Sequence, residues 1–376
     1  MKKRICMFLC FVLVATTCCL SFVACQSEGI ELKKYTEPFD LHTELQSYYL
    51  EYILNSAYQP DAEVDEVKGT ADLSKPLPVV LEWTDESSCS EYVVEISQTQ
   101  DFADKITVNT TEKKAEVYNL KIATSYYWRV IGGDETSEVG VFETAGNGPR
   151  NMYVDGVTNF RDIGGWMTSS GKRVKQGLLY RSARFNRSYA IGMESSYTEP
   201  TEVLPEITAP GIAEMKRLGI KIEVDFRLDH RNGFPEGITP YSMIDGVTYV
   251  SLPMKGNAAA TGDNAEKVKT LMEMLADENN YPLVYHCNIG TDRTGLVSYL
   301  IGALCGVSEE DLLKDYLFSN FGNIGELKSP SNSKNTFIGL TDYTGDTLQK
   351  RAEAYFQSIG VSKQTYEAVR NILLED

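Results

Sequence analysis

The chain has 376 residues, 42% hydrophobic and 24% charged, a composition that argues against wholesale disorder, a fibre or a multi-span membrane protein. Acidic side chains outnumber basic ones by 53 to 36, and the formal net charge of −17 repels nucleic-acid backbones, so no nucleic-acid partner is expected. Its three histidines, His42, His230 and His286, stand far apart in sequence, which argues against a polyhistidine metal site.

Lys2, Lys3 and Arg4 open the chain, residues 5–24 are uncharged and apolar or small, and Cys25 follows. A basic start, an apolar run and a small residue before the cut make a secretory signal, placed at 1–24. Phe22-Val23-Ala24-Cys25 resembles a bacterial lipobox, with Phe where Leu is usual. The resemblance implies lipidation of Cys25 and an exported lipoprotein anchored to the membrane through it, periplasmic or at the cell surface. The alternative is an uncleaved anchor, since about 20 residues just span a bilayer. Residues 25–63 are polar and tyrosine-rich, either a tether or a helix over 42–57, with Leu45, Tyr48, Tyr49, Tyr52 and Ile53 near helical spacing.

Residues 64–145 predict an all-β sandwich, with strands over 79–83, 92–96, 106–108, 126–130 and 139–142. Trp83, and the series Leu120, Tyr126, Trp128 and Val130, resemble the second-strand tryptophan and the tyrosine corner of a fibronectin type III domain. Tyr126, Trp128 and Val130 alternate toward one face. Acids, bases and nucleophiles do not cluster here, which predicts a spacer or recognition module. Residues 145–149 are a turn-forming linker. From 150 to 376, strand-like runs (177–180, 220–226, 248–252, 283–285) alternate with helix-like ones (210–218, 264–276, 291–304, 309–318, 345–359). That alternation predicts an α/β domain, a central, largely parallel sheet flanked by helices. Residues 195–207 and 328–339 read as surface insertions.

The chemistry concentrates in Tyr285-His286-Cys287-Asn288-Ile289-Gly290-Thr291-Asp292-Arg293-Thr294-Gly295, between an apolar strand and a long apolar helix. Open α/β sheets bind ligands at such strand ends. The five residues between Cys287 and Arg293 can curl so that backbone N–H groups converge on a tetrahedral dianion at a helix N-terminus. Gly290 permits the turn, and Arg293 can grip two phosphoryl oxygens. The same environment favours a thiolate, which makes Cys287 a candidate nucleophile. Thr294 can donate to the sulfur, and His286 can tether the loop. With Asn288, Ile289, Gly290 and Thr291 these are the candidate substrate-binding positions. Such a site requires neither metal nor organic cofactor.

His286 to Gly295 resembles the phosphate loop of cysteine-dependent protein tyrosine phosphatases, and more narrowly that of bacterial and fungal tyrosine/lipid phosphatases reading HCxAGKDRTG. Asn159-Phe160-Arg161-Asp162-Ile163-Gly164-Gly165, Gly177-Leu178-Leu179-Tyr180-Arg181-Ser182, Leu218-Gly219-Ile220, Val224-Asp225-Phe226-Arg227 and Asp315-Tyr316-Leu317 match further segments of that family. The resemblance implies a phosphomonoesterase working through a phosphocysteine on a phosphorylated protein or small phosphomonoester. Thr291 stands where the family has a lysine associated with phosphoinositides, which tilts the expectation toward phosphotyrosine. The alternatives are a phosphoinositide phosphatase using the same site and an inactive phosphate-loop protein that binds phosphorylated partners. A general acid is also required. Asp292 is the first candidate, by resemblance to myotubularin-like lipid phosphatases, followed by Asp225 and Asp229. For Asp225 an ion pair with Arg227 is an equal reading, and Arg161 with Asp162 reads as a structural buried pair.

Overall fold

The computed structural model describes residues 29–52, 66–86, 89–187, 201–256, 264–330, 332 and 340–375. The expected signal, Cys25, and much of the 195–207 and 328–339 segments lie outside them, as does 53–57 of the expected first helix. Among the described residues no helix is long and apolar enough to cross a membrane.

The N-terminal half builds two small sheets. Strands β1 (Glu31–Leu32), β2 (Val79–Thr84) and β5 (Lys114–Val117) form one. Strands β3 (Tyr92–Ser97), β4 (Lys105–Thr110), β6 (Thr124–Gly132), β7 (Glu135–Thr136) and β8 (Gly140–Thr144) form the other. Alternate residues of β2 and β6 are buried, the two-residue period of a strand with one covered face. Leu81, Trp83, Val94, Ile96, Ala115, Trp128, Val130 and Phe142, drawn from both sheets, share one core. The Tyr126 hydroxyl accepts from the Lys121 amide at 2.8 Å. Ile30 and Leu41 are buried in the same core, so residues assigned from sequence to the tether belong to this unit. The helix α1 (Glu44–Tyr52) instead packs on the C-terminal half, where Tyr49 lies against Phe321 and Tyr316 to Phe318.

The C-terminal half is a six-stranded sheet, ordered β13 (Thr248–Ser251), β12 (Ile222–Asp225), β14 (Leu283–His286), β11 (Leu179–Ser182), β10 (Arg161–Asp162), β9 (Arg150–Asn151). The first four are mutually parallel and the last two pair antiparallel. Every residue of β11, β12 and β14 is buried, as expected for strands covered on both faces. Around the sheet lie α2 (Ala209–Arg217), α3 (Ala265–Leu275), α4 (Asp292–Cys305), α5 (Glu309–Leu317), α6 (Leu348–Ser358) and α7 (Lys363–Leu373). Helix α4 is buried on nearly all sides and ends at Gly306, whose φ of 86° supplies the left-handed cap that a side chain would strain. Its N-terminus meets the C-terminal end of β14, and the loop between them holds Cys287.

Candidate active site

Residues 287–291 connect the central strand β14 to α4, and the loop is tied from outside. The Asn159 amide donates to the Ile289 carbonyl at 2.9 Å, and Arg181 donates to the Gly290 carbonyl at 2.7 Å. The Arg184 amide and guanidinium reach the Asn288 carbonyl at 3.3 and 3.2 Å. In a planar trans peptide the N–H points opposite to the C=O. Fixing the carbonyls of 288, 289 and 290 outward therefore turns the next three amides inward. Among the described residues, nothing accepts from the N–H groups of residues 288–293. Together with the start of α4 they form a cup of free donors suited to an oxyanion. Gly290 has φ 71°, and a Cβ there would strike the backbone of Ser182. Both the turn and the close approach require glycine.

Cys287 is 1% exposed. Burial by itself disfavours its thiolate, but the Arg293 charge and the hydroxyl and amide of Thr294 more than offset this and hold the thiol below its ordinary value. Among the described residues the buried Thr294 hydroxyl has no well-formed hydrogen bond, so its effect on the sulfur is electrostatic nearness. Arg293 is half-buried and anchored through Nη1 to the Phe226 carbonyl at 3.0 Å. Thus one guanidinium edge is fixed to the sheet.

His286 is wholly buried, with Nε2 2.9 Å from Glu223 Oε1 and Nδ1 3.3 Å from the Cys287 carbonyl. Burial works against its charged form, yet Asp225 and Glu223 outweigh burial and raise its pKa. The ring braces the loop and is not free to take a substrate proton. Thr291 is buried, with Oγ1 3.5 Å from the Asn159 amide, so its side chain packs behind the loop rather than in the cup.

The three candidate acids have different surroundings. Asp225 is fully buried, gripped by Arg227 at 2.7–3.0 Å and by the Tyr249 hydroxyl at 2.8 Å. Burial would raise its pKa, but Arg227 and His286 reverse that and hold it at about 2. A carboxyl so held is a poor proton donor near neutrality. Asp229 is exposed and accepts from the Ser251 hydroxyl at 3.0 Å. Asp292, in the first turn of α4, is half-buried beside Cys287. The Tyr316 hydroxyl lies 3.2 Å from it, and the Lys328 ammonium is 3.0 and 3.2 Å from its two oxygens.

Two sequence readings change here. Arg161 and Asp162 do not pair with each other. Successive strand residues point to opposite faces, so Asp162 pairs with Arg150, while Arg161 joins Asp315, which also binds Arg181. Lys328, expected at the start of a surface insertion, is itself only 7% exposed, and its partner lies 36 residues upstream, a separation no local pattern reveals.

A sequence model of the tyrosine phosphatase family matches residues 152–196 and 201–375. A Cupriavidus necator protein named as a candidate tyrosine-protein phosphatase is 29% identical over 188 residues, 47% of this chain; the chain spans 65% of that relative's length. P. aeruginosa TpbA in complex with pTyr is similar at 19% identity, covering 51% of this chain and 91% of its own, with a TM-score of 0.30. The PP-IP phosphatase SIW14 from S. cerevisiae is similar at 15% identity, covering 48% and 86%, with a TM-score of 0.27.

Proposed function

The chain belongs to the tyrosine phosphatase family, and from that premise we propose that it hydrolyses phosphomonoesters through Cys287, with phosphotyrosine-like aryl phosphates preferred. The observation that carries this reading is the cup itself: a thiol held below its ordinary value beneath amides that no described residue accepts from.

In the proposed reaction the Cys287 sulfur attacks phosphorus and the ester P–O bond breaks. The cup amides and Arg293 take up the charge on the transferring phosphoryl oxygens. Asp292 donates a proton to the leaving oxygen. Water then attacks the phosphocysteine, Asp292 takes the proton back, and phosphate leaves with the thiolate restored. Asp292 is preferred over Asp225 because it stands at the loop, partly open and close to the sulfur, whereas Asp225 is fully buried and held at about 2 by Arg227 and His286. The aryl preference rests on Thr291, which brings no positive charge where relatives of the expected family carry lysine, and whose side chain packs away from the cup.

The purified chain should turn over p-nitrophenyl phosphate and a phosphotyrosine peptide, with vanadate inhibiting, and do so faster than phosphoinositides. Cys287→Ser should abolish all turnover. Residual activity in that variant refutes the covalent route, and faster turnover of phosphoinositides refutes the stated preference.

Export and acylation of Cys25 extend the proposal, on the sequence of residues 1–28 alone. Metabolic labelling with palmitate in the wild type but not in Cys25→Ala checks it. The Tyr126 hydroxyl on the Lys121 amide supports a fibronectin type III-like reading of the N-terminal β unit.

A further inference from the structure

We propose that Lys328 is a positioning residue of the active site, fixed in place by the N-terminal segment, and that it orients the Asp292 carboxyl group for proton transfer. The inference rests on the phosphatase reading above, with Asp292 as the proton carrier.

The contact is built rather than incidental. The Lys328 ammonium lies 3.0 and 3.2 Å from the two Asp292 oxygens and 2.7 Å from Glu326. Its side chain is 7% exposed, against 28% for Asp292. A surface lysine would keep its ammonium in water and gain little from a partner. Burying one is unfavourable unless it is paired. Here burial works against the charged form, and Asp292 and Glu326 more than reverse it.

The backbone of Lys328 is clamped from both sides. Asn320 donates to the Lys328 carbonyl at 2.8 Å and accepts from its amide at 2.7 Å. The Asn320 side chain also donates to the Tyr49 hydroxyl of α1 at 2.7 Å, and the Asn320 backbone carbonyl accepts from the Gly69 amide at 2.9 Å. The Gly69 carbonyl in turn accepts from Ile324 and Gly325 at 2.8 and 2.7 Å, and the Leu73 amide donates to Phe321 at 2.6 Å. Gly69 has φ 70°, and a Cβ there would collide with the Glu326 carbonyl. Residues 49, 69 and 73 all precede residue 152, where the family match begins. The turn that delivers the lysine is therefore shaped by chain that lies outside that match.

Among the described residues, the charged and titratable groups facing Asp292 are few. Lys328 approaches from the 320s turn with Glu326 behind it, the Tyr316 hydroxyl from α5, and Cys287 and Arg293 belong to the loop. Of these, Lys328 alone touches both carboxyl oxygens. It fixes the plane of the group that must face the leaving oxygen, and removing it also removes a cation from a proton donor.

The test is kcat and KM for the full chain and for Lys328→Gln, Lys328→Arg, Tyr49→Phe, Asp292→Asn and the Lys328→Gln/Asp292→Asn pair. The substrates are p-nitrophenyl phosphate and phenyl phosphate, whose leaving group is poorer. For Lys328→Gln, kcat should fall at least about tenfold, more on phenyl phosphate, with KM nearly unchanged. Lys328→Arg should restore most of the rate, Tyr49→Phe should show the same leaving-group-dependent loss but smaller, and Lys328→Gln should cost nothing further beside Asp292→Asn. Equal losses on the two esters, or equal losses with and without Asp292, overturn the proposal. If Lys328→Gln does not fold, Tyr49→Phe decides by the same comparison of the two esters. A wild-type chain inert on both esters sinks the phosphatase reading instead.

Discussion

Cys287 and Cys305 are two buried thiols at opposite ends of one loop-helix unit, and they differ in what surrounds the sulfur. Burial pushes the Cys305 thiol up to about 12, with Arg370 too weak an influence to reverse it. At Cys287 the same burial is overcome by Arg293 and Thr294. Iodoacetate at pH 6 should therefore label Cys287 and spare Cys305, as read by peptide mass spectrometry, and Arg293→Ala should abolish that selectivity. Equal labelling of both thiols would contradict the electrostatic account. The Cys287–Arg293 pair is legible in the sequence because both residues sit within one loop and their spacing is itself the signal. Asp225 is half legible: its neighbour Arg227 is visible, but Tyr249 and His286 reach it only through the parallel register of β12 with β13 and β14. Its pKa is lowered in the fold, so its stabilisation is present above its unfolded value near 4 and lost as pH falls toward 2. Asp225→Asn should flatten that acid limb of stability by about 2 kcal/mol in urea titrations, beyond the uniform cost of breaking a buried pair.

The elements that carry the site read clearly from the sequence because they are long or strongly patterned. The apolar run before His286 and the glycine-bounded apolar helix after it correspond to β14 and α4. The strands β9 and β10 are two residues each, too short for any period, and β10 exists because Arg161 pairs with Arg181 across β11. Helix α7 falls outside the helix-like runs expected from sequence, although Ser362 caps it and Tyr366, Val369 and Leu373 recur at helical spacing. The short strands matter because they bring Asn159, Arg161 and Arg181 behind the loop. Arg161 and Arg181 share Asp315, and Arg181 spends Nη2 on the Gly290 carbonyl. Two guanidiniums on one carboxylate are costly to bury, and their retention fits a task of holding loop carbonyls outward. Arg181→Met should weaken vanadate inhibition at least about tenfold as well as lower stability by about 3–5 kcal/mol. Destabilisation with unchanged vanadate affinity would make the cluster scaffold alone.

At the scale of the whole molecule, the linker expected between two separable units is instead the place where they are joined. Arg150, at its end, is 4% exposed, donates to the Leu120 carbonyl at 3.1 Å and the Asn119 carbonyl at 2.6 Å, and pairs with Asp162 of β10. Asn119 returns two bonds to the Tyr153 backbone at 2.7 and 2.8 Å. Gln176 pairs with the backbone of Ile122 at 2.9 Å in both directions. No composition shift announces such a seam, since its partners are backbone groups on one side and scattered side chains on the other. A buried arginine bridging two cores couples their unfolding, because neither can open without stranding its charge. Trp83 and Trp128 belong to the β unit and Trp166 to the C-terminal core, so each half carries its own fluorescent reporter. Urea should unfold the wild type in a single transition in which fluorescence and phosphatase activity are lost together. Arg150→Met should split it, with the two signals parting along the urea axis and vanadate shifting only the activity-linked step. Two transitions already present in the wild type would show that the seam transmits nothing, and would confine the coupling to α1 and the 320s turn.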